Sequence, residues 1–291
     1  MSKQFDELVR LMARLRAPDG CPWDRKQTHE SLKPYLVEEA YEVLETIDRG
    51  HSDRLREELG DLLLQILFHT QIGAEQGTFT IEEVMQRLAE KLVRRHPHVF
   101  GSPDEKDRPA NAEEVLGRWE EIKRNERQRT GERGSILDGV PKTLPALLRA
   151  FQVQARASRV GFDWPHSEQG LEQVMAKVDE EVRELRDVLP LGMSGKLPRG
   201  SSPSTDSVGE ETRSRLEDEF GDILFALVNL ARFFKVNPEE ALRKAINRFT
   251  DRFSYIESQA AGRGRALEDL TLAEMEAYWE EAKGQGKAQS P

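Results

Sequence analysis

A single cysteine, Cys21, stands among 291 residues, so no intrachain disulfide can form and no cysteine-based zinc site can be assembled. Long hydrophobic runs are also missing. The longest, Leu62 to Phe68, falls well short of the ~18 apolar residues that a membrane helix needs. Met1 to Arg16 intersperses Asp6, Glu7, Arg10 and Arg14 among its apolar positions, without the uninterrupted core of a secretory signal, so a cytoplasmic protein is expected. Excess positive charge is absent too. Lys and Arg number 43 against 53 Asp and Glu, a net charge of -10, which argues against a protein that coats phosphate backbones and leaves no expectation of stable nucleic-acid binding. An acidic protein that handles phosphates needs metal ions to do so.

Clusters of β-branched residues and alternating apolar and polar runs are scarce, while helical periodicity extends along nearly the whole chain, so the sequence reads as all-α. Its length exceeds the roughly 100 to 200 residues usual for one core, which favours two domains. An internal repeat supports this. LVEEAYEVLETI and RLREELGDLLLQILF in the first half are echoed by VDEEVRELRDVL and RLEDEFGDILFALVNL in the second, Glu82 to Arg87 by Glu239 to Lys244, and Trp119 to Lys123 by Trp279 to Lys283. The expected domains are residues 1–130 and 131–291. Between the two parts of the second copy lies the stretch from Pro190 to Gly209, rich in Ser, Pro and Gly, read as a disordered insertion.

Each copy carries Glu-Glu-x-x-Glu followed by Glu-x-x-Asp: Glu38, Glu39 and Glu42 with Glu58 and Asp61, then Glu180, Glu181 and Glu184 with Glu219 and Asp222. Alone the first motif is weak, because acidic residues are abundant and a solvated helix face accounts for it. Helical phase adds weight. Where Leu36, Ala40, Val43, Leu44 and Ile47 form an apolar stripe, expected to be buried, Glu39 and Glu42 lie about 80° and about 140° from its centre. Glu58 and Asp61 fall at the same angles on the next helix, and the second copy repeats the pattern with Glu181, Glu184, Glu219 and Asp222. A solvated surface has no reason to keep like charges side by side in this phase four times, so these eight carboxylates are candidate metal ligands.

All-oxygen carboxylate clusters suit Mg2+, with Mn2+ as the alternative, and the absence of a Glu-x-x-His pattern argues against a di-iron site. Magnesium completes its coordination shell with water and substrate phosphates, so a polyphosphate is the expected substrate. The helix after each acidic pair supplies a basic stripe, Arg87, Lys91 and Arg95 or Lys244, Arg248 and Arg252. Cys21, Pro22 and Trp23 read as an anchor for the chain ahead of the first acidic helix, and His96 and His98, flanking Pro97, as helix-end contacts. Trp119 and Trp279 sit in matching helices and suit either base stacking or packing.

These motifs, with GCPWD at Gly20, RRHPHVF at Arg94, RWEEIK at Arg118 and GFDW at Gly161, resemble the tandem-repeat MazG proteins, nucleoside triphosphate pyrophosphohydrolases of the all-α NTP pyrophosphatase superfamily. The resemblance spans nearly the whole chain. It implies two tandem helical-bundle repeats and Mg2+-dependent hydrolysis of nucleoside triphosphates to monophosphate and pyrophosphate. A pair of acidic helices needs partner helices to close its site, so four-helix units that dimerise are expected, either between the copies in one chain or between chains as a homodimer. By the same resemblance Glu181, Glu184, Glu219 and Asp222 hold Mg2+, with Glu39, Glu42, Glu58 and Asp61 equivalent. The resemblance also implies that Lys177, Glu180, Asp218, Lys244, Arg248, Trp279 and Lys123 line the nucleotide pocket, and Glu180 or Glu38 is expected to orient the attacking water or take its proton. A nucleotide-sensing or protein-docking module without turnover, and an enzyme confined to a deoxynucleotide or a phosphoribosyl nucleotide, share the same motifs. The insertion between Glu184 and Glu219 is the one departure, and a disturbance of helix pairing there would weaken the second site.

Overall fold

The computed structural model describes residues 3–101, 109, 111, 114–115, 117–119, 122, 126, 135–189 and 209–288. Lys123, and residues 190–208 of the Ser/Pro/Gly stretch, lie outside the described residues. Among those described there are helices and no strand, as the periodicity implied. The chain divides into two compact units, Met1–Glu132 and Arg133–Pro291.

In the first unit α1 spans Lys3–Arg16, α2 Pro22–Lys26, α3 Lys33–Arg49, α4 Ser52–Glu75, α5 Ile81–Arg95 and α6 Pro97–Phe100. The start and stop of each acidic helix follow from local chemistry. Pro34 opens α3, where a missing N–H costs nothing, and Gly50 closes it at φ 67°, a left-handed conformation that residues with a Cβ avoid. Gly50 and His51 then donate back to Ile47 and Thr46, which turns the chain sharply into α4. Helices α3, α1 and α5 all pack on α4. The core gathers Met12, Leu32, Leu67, Phe68 and Ile72, with Phe5, Val9 and Leu63 packed against it. Burying each such side chain contributes about 1.5–3 kcal/mol. Trp23 sets its ring edge-on to Phe68 at 6.4 Å and to Tyr35 at 5.9 Å, so the Cys-Pro-Trp segment does anchor the chain ahead of α3.

Arg16, whose side chain is almost wholly buried, ties that segment down further. It donates to both carboxylate oxygens of Glu75 and to the carbonyls of Asp24 and Gln27. At the other end, His96 caps α5 and precedes α6, donating from Nδ1 to the Leu92 carbonyl at 2.7 Å. His96 therefore acts at a helix end, as its position before Pro97 implied, and the His98 ring lies 5.7 Å from it.

In the second unit α7 spans Ala146–Ser158, α8 Glu168–Val188, α9 Glu210–Phe233, α10 Pro238–Gly262 and α11 Leu272–Ala288. Helices α8 and α9 lie together as α3 and α4 do, α7 packs on α9 and α10, and α11 packs on α10. The long insertion therefore leaves the pairing of the two acidic helices intact. The copies share their helix starts as well. Thr80 and Glu83 form a reciprocal capping box at α5, and Asn237 accepts from Glu239 and Glu240 at the start of α10. A second small core forms around Ile256, Ala260 and Leu270.

The apolar stripes beside the carboxylates differ from what phase suggested. Leu36, Leu44 and Ile47 on α3, Leu59 and Ile66 on α4, and Phe220, Leu224 and Leu227 on α9 are all exposed within the chain. Helix α1 packs on α4 and α7 on α9 without covering these side chains, so this part of each stripe faces outward within the chain.

Candidate metal and nucleotide site

Helix pairing brings carboxylates from adjacent helices together. In the first unit Glu39 of α3 and Glu58 and Asp61 of α4 offer oxygens that all lie within 4.8 Å of one another. In the second, Glu181 of α8 and Glu219 and Asp222 of α9 do the same. Each cluster is therefore three carboxylates, two of them an i, i+3 pair on one helix. Glu42 and Glu184, read from the sequence as a fourth ligand in each copy, stand beside these triads. Glu42 hydrogen-bonds to Glu58, and Glu184 is near enough to Glu219 to act on its charge.

Repulsion in these clusters shows in their proton affinities. Burial first, then the charges of Asp61 and Glu42, pushes the Glu39 carboxyl above its ordinary range, while the Gln65 amide opposes the rise. The contact with Glu58 is the main cause of a raised Glu42, followed by burial and by the charges of Glu58, Glu38 and Asp61. Glu219 is raised by burial, then by Glu184, Asp222 and Glu181, and Arg215 counters only in part. One Glu219 oxygen, Oε2, is buried without any hydrogen-bond partner. An acceptor in that state lacks a cation or a donor.

The first cluster has a partner that sequence reading missed. Gln65 is 4% exposed and donates from Nε2 to Glu39 Oε1 at 3.5 Å. Its signal was a lone amide inside the apolar run of α4, seven residues after Glu58. The second cluster has Ala226 at the equivalent place and uses a cation instead. Lys177 Nζ lies 2.7 Å from Glu181 Oε1 and 3.0 Å from Glu180 Oε1, and these bonds hold the ammonium pKa above its usual value.

The remaining pocket candidates are distributed as follows. Glu38 and Asp218 are exposed, and Glu180 is the second partner of Lys177. Lys244 and Arg248 are exposed on α10, Lys244 lying 3.3 Å from Glu240. Among the described residues no ion pair joins either of them to the carboxylate triad. Trp279 has the Arg252 guanidinium over its ring at 5.3 Å and the Phe249 ring at 5.2 Å, and it packs on the second core. Trp119 receives Arg95 at 6.0 Å, so the last arginine of each basic stripe meets the repeated tryptophan.

The entry to α8 is also pinned. Arg232 near the end of α9 binds both oxygens of Asp163 in the Gly-Phe-Asp-Trp segment, at 2.8 and 2.5 Å, and donates to Asn229 as well. Asp163 is raised by burial, but its bonds and proximity to Arg232 outweigh this and leave its pKa lowered.

Comparison with known proteins places both clusters in context. The MazG nucleotide pyrophosphohydrolase domain family matches residues 27–100, which contain the whole first cluster. A Thermotoga maritima protein named nucleoside triphosphate pyrophosphohydrolase/pyrophosphatase MazG is 46% identical over 280 residues, 96% of each chain. The nucleoside triphosphate pyrophosphohydrolase of Escherichia coli K12 is 40% identical over 283 residues, 97% of this chain and 98% of its own. Bacillus subtilis YabN, an uncharacterised protein, is 45% identical over 280 residues that make up 52% of its length.

Proposed function

Since the chain belongs to the MazG nucleotide pyrophosphohydrolase family, we propose that it hydrolyses nucleoside triphosphates, ATP among them, to the monophosphate and pyrophosphate with Mg2+ as cofactor and Mn2+ as a substitute. The observation that carries this reading is the pair of interhelical carboxylate triads, one with a buried oxygen lacking any partner. Hard oxygen donors from two rigid helices fit a divalent cation that keeps sites open for water and phosphate. Glu181, Glu219 and Asp222 would hold it in the second copy, with Glu184 alongside, and Glu39, Glu58 and Asp61 in the first, with Glu42 alongside. When bound, a divalent cation there neutralises phosphate charge and makes an adjacent water more acidic.

The chain's own side chains supply the rest. Lys177, Lys244 and Arg248 offer charge to the triphosphate, and attack at the α-phosphorus expels pyrophosphate. Glu180, or Glu38 in the first copy, orients the water or accepts its proton. Asp218, Lys123 and Trp279 complete the nucleotide pocket by resemblance, with Trp279 offering an edge, since Arg252 and Phe249 already lie against its ring. The uncovered apolar stripes on α3, α4 and α9 favour a homodimer in which a second copy closes each helix pair into a bundle. No helix of the described residues is long and apolar enough to cross a membrane, and the excess of acidic residues speaks against stable nucleic-acid binding.

Incubation of the purified chain with each common NTP and dNTP and Mg2+, followed by product separation without added pyrophosphatase, tests this directly. The expected products are monophosphate and pyrophosphate. Diphosphate with orthophosphate overturns the chemistry, and binding without turnover favours a nucleotide-sensing module.

A further inference from the structure

One turn before the equivalent carboxylates Glu39 and Glu181, the copies differ: the first has Tyr35 where the second has Lys177. Tyr35 turns its ring to the edge of Trp23 at 5.9 Å. Lys177 instead sits on Glu181 at 2.7 Å and on Glu180 at 3.0 Å. Glu181 is only 5% exposed, so little water neutralises it, and the ammonium takes that role. The lysine is nevertheless free to leave. Its side chain is 40% exposed, its stem is flexible, and Lys preceding Glu by four residues is the weaker order for a helical ion pair.

A divalent cation shared by Glu181, Glu219 and Asp222 competes for the same carboxylate and repels the ammonium beside it. Once displaced from Glu181, the ammonium keeps only the half-exposed Glu180, and a triphosphate oxygen at that cation is the more highly charged partner that the reaction brings. We infer that Lys177 is an exchangeable counter-ion of the second site: it neutralises Glu181 until a divalent cation replaces it, then passes to the substrate phosphates. This rests on the metal-dependent hydrolase reading above. Cation and triphosphate thus strengthen each other's binding through Lys177, and by linkage the effect is reciprocal. The first site, with Tyr35, has no charge to exchange and lacks this part of the coupling.

The test uses the full chain with the first site silenced by Glu58→Gln and Asp61→Asn, Mn2+ binding read by electron paramagnetic resonance, and an α,β-methylene triphosphate as the uncleavable probe. Lys177→Met is expected to tighten Mn2+ binding in the absence of nucleotide about two- to fivefold, the factor a half-exposed ion pair is worth, and to reduce the enhancement that the analogue brings. Lys177→Arg keeps a cation on Glu181 and retains the parent Mn2+ affinity. The converse variant, Tyr35→Lys with the second site silenced by Glu219→Gln and Asp222→Asn, weakens Mn2+ binding at the first. Mn2+ binding in Lys177→Met that is unchanged or weaker, in a chain of unaltered helicity, overturns the exchange alone. A parent chain whose Mn2+ binding does not depend on Glu219 and Asp222 overturns the metal reading and the exchange together.

Discussion

Removing charge from the second triad without changing its shape separates a cation site from a merely acidic surface. Glu219→Gln with Asp222→Asn leaves two α9 side chains of nearly the same size, yet takes away the charges that raise the Glu219 carboxyl with Glu184 and Glu181. Without a cation, the variant is therefore expected to melt at or above the wild-type temperature, because the repulsion lost exceeds the attraction to Arg215. With Mg2+ the order reverses. A cation that binds only the folded arrangement stabilises it by RT ln(1 + [L]/Kd), ~2.7 kcal/mol at a hundredfold excess over Kd. For units of this size each kcal/mol shifts Tm by roughly 2–4 °C, so the expected rise is roughly 5–11 °C. A cation at the first triad adds its own increment, which disappears only when Glu58→Gln and Asp61→Asn are added.

The sign of the pH dependence follows from the raised Glu219 carboxyl. The folded state holds its proton to higher pH than the unfolded chain does, so the cation-free protein loses stability as pH rises past the ordinary carboxylate range. A cation must displace that proton, so the Mg2+ increment is larger at pH about 7.5 than at about 5. Scanning calorimetry in EDTA, in millimolar MgCl2 and in NaCl of equal ionic strength measures all of this. The same rise in MgCl2 and in matched NaCl, in wild type and variant alike, refutes the cation site, because screening has no ion preference.

Two further outcomes concern the frame and the division of labour. Asp163→Asn leaves Arg232, already with a buried unpartnered Nε, without its ion pair, and is expected to cost about 1–3 kcal/mol in urea unfolding. Because Asp163 is lowered overall, that difference is full above its ordinary pKa and shrinks as pH falls through the folded value. In initial-rate assays, Glu219→Gln with Asp222→Asn reduces turnover at least as much as Glu58→Gln with Asp61→Asn, since Lys177 has no counterpart in the first copy. Loss of activity confined to the first pair reverses that ranking.

The all-α fold and its repetition were legible in the sequence for a simple reason: helical period, proline starts, Gly50 and the Thr80 and Asn237 caps are all local properties, decided within a turn or two of chain. The phase of the carboxylates on each helix is local as well, so the residue order alone puts them on one face. Which helix covers which face is not local. Phase alone suggested that the stripe through Leu36, Leu44 and Ile47 was buried, whereas α1 packs on α4 and α7 on α9, and these three side chains stay exposed within the chain. The set of side chains that meet across a pair depends on the relative rotation and stagger of two helices. That geometry gathers Glu39, Glu58 and Asp61 while leaving Glu42 beside them, and it turns Gln65 from one more residue in an apolar run into a hydrogen-bond partner of Glu39. Packing likewise directs Arg252 and Phe249 onto Trp279, a ring whose availability spacing could not decide. Residue chemistry and helical phase are thus written in the sequence, and the choice of neighbours comes from packing, because contacts across helices depend on residues far apart in the chain.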